Sequence, residues 1–193
     1  MKKVRIVIIA VVLVGLVCGG FYYMSSKKDV SVENKTELTT LDKLILKDLE
    51  SNYPSTPRAV VKLYNQIITC YYSAEFKDDE FEKLVDQALL LFDDELKAKN
   101  PKDEYMETLS NEIEEYKTKD KTISQTAVCS SNDVLYRNDN GDEIAYVNAS
   151  YFIKEGKEHV KTYEQYVLRK DEKGNWKILG YYEIEEDPAE SDY

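Results

Sequence analysis

The chain has 193 residues, with 37 acids against 26 bases and a formal net charge of −11 at pH 7. Residues 29–193 hold all 37 acids and only 21 of the bases, a net charge of −16 that repels nucleic acid, anionic lipid headgroups and anionic wall polymers. That balance excludes a nucleic-acid partner, and the length beyond residue 28 suits one domain with a single core.

The first element is an uncharged run from Ile6 to Met24, opened by Lys2, Lys3 and Arg5. Its length approaches the roughly 20 residues that a helix needs to cross the hydrocarbon of a bilayer. Phe21, Tyr22 and Tyr23 close it with side chains that favour a membrane interface. Residues 1–24 therefore read as a cytoplasmic stub and transmembrane anchor. A cleaved signal peptide is the competing reading, and lipid attachment at Cys18 a third. Against them, the run exceeds a signal core, Ala-x-Ala is absent, and Val17 stands where a lipoprotein needs a small residue. The charges before the span place the N-terminus in the cytoplasm. The expected location is the cell membrane, single-pass, with an extracytoplasmic C-terminal domain.

Residues 25–55 read as a linker with a short amphipathic helix carried by Leu41, Leu44, Ile45 and Leu49. Thr56 as N-cap and Pro57 as first helical residue start a second helix, striped by Val60, Tyr64, Ile67, Ile68 and Tyr71. A third is expected from Asp78 to Lys97, with acids at its N-terminal end. Its stripe is Phe81, Leu84, Val85, Ala88, Leu89 and Phe92. Asn100-Pro101 ends that helix and caps the next, whose inner face is Tyr105, Leu109, Ile113 and Tyr116.

After Lys121 the period changes. Strands are expected at Ile123–Val128, Glu143–Ile153, His159–Lys170 and Trp176–Glu185, separated by turns at Asn138–Gly141, Lys154–Lys157 and Asp171–Asn175. The fold class is α+β, with an N-terminal transmembrane helix and then helices packed on a four-stranded, mostly antiparallel meander. Residues 186–193 form an acidic disordered tail. Alternation places Val160, Thr162, Glu164, Tyr166 and Leu168 on one face of the third strand. On the last it groups Trp176, Ile178, Gly180, Tyr182 and Ile184, with Leu179 and Tyr181 outside.

Helices followed by long strands ending in Tyr166-Val167-Leu168-Arg169-Lys170 and then Gly174-Asn175-Trp176-Lys177-Ile178 resemble the NTF2-like cone fold over residues 56–185. With the span and Asn52–Arg58 included, the chain is similar to membrane-tethered proteins of Gram-positive anaerobes. The chain departs from that fold in one respect, since no strand is evident between Asp78 and Lys117. The resemblance implies a cone that hosts isomerases, dehydratases, binding modules or scaffolds, among them tethered scaffolds of the VirB-eight type, which act by protein contact.

The sharpest chemical candidate is Glu164, an acid on a mainly apolar strand face, where an apolar wall would raise its pKa toward that of a general base. The structural alternative is that the strand twists and Glu164 pairs with a lysine or lies at an edge. His159 sits at a strand start, five residues from Glu164 and on the opposite face, so the two cannot form a catalytic pair. Sixteen tyrosines against five Phe and one Trp mark a core that opens to water or a recognition surface, with Tyr166, Tyr181 and Tyr182 as candidate ligand contacts. Asp139, Asn140, Asp142 and Glu143 lack the ligand order of an EF-hand and read as a turn. Cys70 and Cys129 are two buried thiols or one bridge. No metal or cofactor motif occurs. The expected function is a tethered binding or scaffold domain of the cell envelope, contacting the membrane through residues 6–24 and an envelope protein or a second copy of itself. The alternative is a small-molecule isomerase or hydrolase using an acid in the cavity.

Overall fold

The computed structural model describes residues 38–77 and 79–185, and the anchor and acidic tail lie outside them. Helices α1 (Thr40–Ile45), α2 (Pro57–Ser73), α3 (Glu80–Leu91), α4 (Asp94–Lys99) and α5 (Lys102–Thr118) precede strands β1 (Lys121–Val128), β2 (Leu135–Asp139), β3 (Asp142–Glu155), β4 (Glu158–Lys170) and β5 (Trp176–Ile184). The fold is α+β, with helices against an antiparallel sheet. Among the described residues no helix is long and apolar enough to cross a membrane.

The sheet runs β1-β3-β4-β5, and β2 also pairs with β3. Five strands thus replace the expected four. The turn segment before Asn140 is itself a short strand, pairing Leu135 with Tyr146 while β1 pairs farther along β3. Its five residues are all exposed, so it has no alternating apolar signal to reveal it. Asn140 (φ 52°) and Gly141 (φ 101°) make the tight reversal into β3, a left-handed pair that Asn-Gly adopts readily.

α2 is the central helix. Thr56 accepts a hydrogen bond from the Ala59 N–H at 3.1 Å, and Pro57 occupies the first turn, as its sequence predicts. Val60, Val61, Tyr64, Ile67 and Tyr71 are almost wholly buried. The segment from residue 40 belongs to this core and is not a linker. Leu41, Leu44 and Leu49 join the core, and the Tyr53 hydroxyl donates to the Trp176 carbonyl at 2.9 Å. The apolar spacing that defined α1 is what docks it, since its buried leucines have no other cover.

The single helix expected from Asp78 to Lys97 is broken in two. Phe92 turns to extended backbone (φ −80°, ψ 146°) and forms a one-residue parallel bridge to Ile178. The Asp93 N–H donates to the Ile178 carbonyl at 2.8 Å, and the Asp93 carboxylate caps α4 by accepting from the Glu95 N–H. Arg169 grips the same carboxylate with two nitrogens, at 2.6 and 3.1 Å. A backbone bond to β5, a cap and a bidentate ion pair outweigh the few tenths of a kcal/mol per residue that helix propensity offers.

Asp93→Ala removes the cap and leaves Arg169, about three-quarters covered, short of its main partner. The expected loss is about 2–4 kcal/mol in denaturant unfolding followed by circular dichroism. A loss below about 0.5 kcal/mol, the usual scale for a surface change, would show that the break does not depend on this residue.

Candidate functional site

Beyond the break, α4 turns the chain and α5 returns across the sheet. Leu109 and Ile113 of α5 are buried, while Tyr105 and Tyr116 on the same side are only partly so. Between α5, α2 and the sheet lies a cavity of about 500 Å³, within the range of small-molecule sites. Thr162 and Glu164 of β4, Tyr151 and Ile153 of β3 and Ile123 of β1 line its sheet side.

The last strand enters the cavity out of its expected phase. A bulge shifts the β4–β5 register between Val167 and Leu168, so that Gly180 pairs with Val167 but Ile178 pairs with Leu168. One extra residue reverses the alternation beyond it. Trp176 and Ile178 are buried as expected, but Tyr181 then turns inward and Tyr182 outward. Tyr181 lines the cavity and stacks at a tilt on Tyr166 with ring centroids 5.4 Å apart. Tyr182 is half exposed and donates its hydroxyl to Gln165. Of the three candidate tyrosines, then, Tyr181 faces the cavity, Tyr166 lies fully buried beneath it, and Tyr182 is on the other side of the sheet.

Glu164 lies on the cavity wall, neither at a strand edge nor paired with a lysine. Its carboxylate accepts from the Tyr166 hydroxyl at 2.7 Å. That hydroxyl meets the Tyr151 hydroxyl, which donates to Asn65 Oδ1 at 2.7 Å. Burial pushes the Glu164 pKa above the usual carboxylate range. Hydrogen bonds from Tyr166 and Tyr151 oppose the shift, and the nearby Glu183 and Glu112 carboxylates add to it.

Counting protons shows what the chain of hydroxyls requires. Three contacts join Asn65, Tyr151, Tyr166 and Glu164 in a line, but the two phenols have only two protons to share. With Tyr166 donating to Glu164 and Tyr151 to Asn65 Oδ1, no phenol proton is left for the contact between the two hydroxyls; a proton on Glu164, with Glu164 then donating to Tyr166 and Tyr166 to Tyr151, would supply it. An ionised Glu164 is satisfied when the Asn65 amide turns over and donates instead, and its Nδ2 is buried with no hydrogen-bond partner among the described residues. Protonation at the cavity wall is thus coupled to an amide two phenols away. Asn65 itself escaped the sequence reading, although an amide four residues after Val61 and three before Ile68, at helical spacing with the apolar face of α2, was a usable signal.

The remaining candidates do not join this site. His159 is exposed at the start of β4, opposite Lys154. Asp142 and Glu143 flank their turn in contact with Arg169 and Lys170. Among the described residues no three His, Cys, Asp or Glu side chains are grouped to hold a metal. No disulfide joins Cys70 to Cys129. What sequence reasoning missed is the rest of the lining, above all Glu112 and Glu183. Only the packing of α5 beside the sheet brings these two to the lining of one cavity.

The profile of a domain of unknown function, DUF6715, matches residues 1–181. The chain belongs to the DUF6715 family. No curated protein matches it in a sequence comparison. In this DUF6715 member the cavity residues from Tyr64 to Tyr181 all fall inside the matched region.

A carboxyl whose pKa is raised by folding favours the folded state while it stays protonated. That contribution is complete below the ordinary glutamate pKa and is lost as pH rises through the raised one. Glu164→Gln keeps a neutral donor and acceptor at all pH values. Its melting temperature should equal that of the wild type near pH 4 and exceed it increasingly toward pH 7. A variant less stable than wild type at pH 7 would mean that the ionised carboxylate is the form the fold prefers.

Proposed function

We propose that this protein is a small-molecule binding module of NTF2-like architecture, held at the cell membrane by residues 6–24 with its folded domain on the extracytoplasmic side. The observation that carries the reading is the cavity of about 500 Å³, open to solvent and walled by side chains that combine an apolar body with a polar tip. A scaffold that works only through its outer surface requires no such space. The uncharged run at the N-terminus supports the tether, and the helices laid on one side of an antiparallel sheet support the cone.

The test is a fragment screen against the full-length chain, read by protein-observed NMR or thermal shift, with Thr108→Trp as control. Thr108 is exposed on α5 and lines the cavity, so an indole there occupies the space without disturbing the core. Hits should move Tyr151 and Tyr181 signals and weaken about tenfold or more in the variant. Hits unaffected by Thr108→Trp would place binding elsewhere.

A second reading, an isomerase or hydrolase with Glu164 as general acid or base, is favoured by one observation. Glu164 faces the cavity and is backed by a hydrogen-bonded chain that can rearrange as it gains or loses a proton. A bound compound that is turned over, at a rate falling about 100-fold or more in Glu164→Gln, would establish it. Bound compounds that persist unchanged would leave the binding module.

A further inference from the structure

The lining of the cavity is selective in charge and in ring content. Seven tyrosines face it, at positions 64, 71, 72, 105, 116, 151 and 181, out of 16 in the whole chain. Four carboxylates line it (Glu104, Glu112, Glu164 and Glu183) against a single base, Lys99. The chain as a whole has only 37 acids to 26 bases, so the acidity of this wall is well above what the general surface supplies.

Three of the acids act on one another. Glu183 stands directly across from Glu164 in the β4–β5 register, and both Glu183 and Glu112 make ionisation of Glu164 harder. Among the described residues none of the four has an ion-pair partner, whereas acids elsewhere on the domain, such as Glu82, Asp86, Asp93, Glu115 and Glu155, do. The rings are placed to complement that charge. Tyr72 and Tyr116 lie with centroids 4.3 Å apart beside Glu112, and Tyr181 adjoins Glu183 on β5. A ring face carries negative potential, as a carboxylate does, and the two together favour a cation.

The alternatives fit less well. An anion would meet four carboxylates and one rim lysine. A neutral apolar compound would strip water from the acids and return nothing for it. A metal ion needs converging ligands, and the described residues offer no such group. A volume of about 500 Å³ also exceeds what a bare ion would fill and matches an organic molecule.

We propose that the cavity binds an organic cation, a quaternary ammonium or protonated amine, held between the Tyr72, Tyr116 and Tyr181 rings and the carboxylates of Glu112 and Glu183. This rests on the cavity being a small-molecule site and names the chemical class that site takes. Glu112 and Glu183 are exposed and supply charge at the mouth together with the exposed Tyr181 ring, while the Tyr72 and Tyr116 rings are more covered.

The experiment titrates the full-length chain with choline and with 3,3-dimethylbutan-1-ol, its uncharged carbon isostere, by calorimetry and tyrosine fluorescence. Choline should bind at least about tenfold more tightly than the isostere, the scale of a desolvated cation–ring contact. A Glu112→Gln/Glu183→Gln double variant should lose most of that preference while its weak affinity for the isostere stays unchanged. Both glutamates are exposed, so the variant should fold, and the retained isostere signal verifies it. Equal affinity for the two probes, or a preference for choline that survives in the double variant, would overturn the proposal and leave the cavity as a binding site. Neither probe binding, while neutral or anionic fragments do, would also overturn the cation assignment alone. No compound of any charge entering the cavity would remove the binding-module reading with it.

Discussion

The arrangement of this domain depends on the clamp at Phe92–Asp93. A helix that continued from α3 through Lys97 would run on past the sheet, and α5 could not return across it. The Asp93 N–H bonded to Ile178, and the Asp93 carboxylate gripped by Arg169, stop the helix against the last strand. The short α4 and Asn100-Pro101 then redirect the chain. Phe92 anchors the break from within, its ring edge-on to Tyr64 at 5.5 Å and to Tyr105 at 5.8 Å. One interruption therefore both closes the core at one end of the sheet and roofs a cavity at the other.

The cavity persists because its walls are made of tyrosine and glutamate. Full collapse of α5 onto the sheet would bury Glu112, Glu164 and Glu183 together, and three carboxylates cannot share an apolar space without most of them giving up their charge. The phenols mediate between the core and the opening. Tyr64, Tyr71 and Tyr166 are wholly or nearly buried, with burial driving their pKa values well above the ordinary tyrosine range. Tyr105, closer to the opening, is pushed up to about 12, again by burial first. All of these phenols stay neutral donors at physiological pH, so a change of charge within the network falls on Glu164.

Much of the helical half was legible in the linear chain. The Thr56–Pro57 start, the α2 and α3 stripes and the inner face of α5 follow from apolar spacing and capping, which act over a few residues. Glu164 was legible too, as an acid in an apolar alternation on β4. The misreadings share a cause. The break at Phe92, the exposed strand β2 and the bulge that exchanges Tyr181 for Tyr182 are all settled by pairing with another strand, which the apolar pattern of the segment itself does not record. An Asp93-Asp94-Glu95 cap was visible in the middle of the expected helix, but the apolar stripe through Phe92 outweighed it until β5 supplied a partner.

By itself the sequence determined the class of the domain, helices followed by an antiparallel sheet, and the acid most exposed to perturbation, because periodicity and local capping are properties of neighbouring residues. Which tyrosine faces inward, which amide completes the proton chain, and whether scattered glutamates meet at one opening were decided only by the tertiary structure. A single bulge or helix break shifts every later side chain to another face, and the forces that place it can come from far along the chain, as the bridge from Phe92 to Ile178 shows.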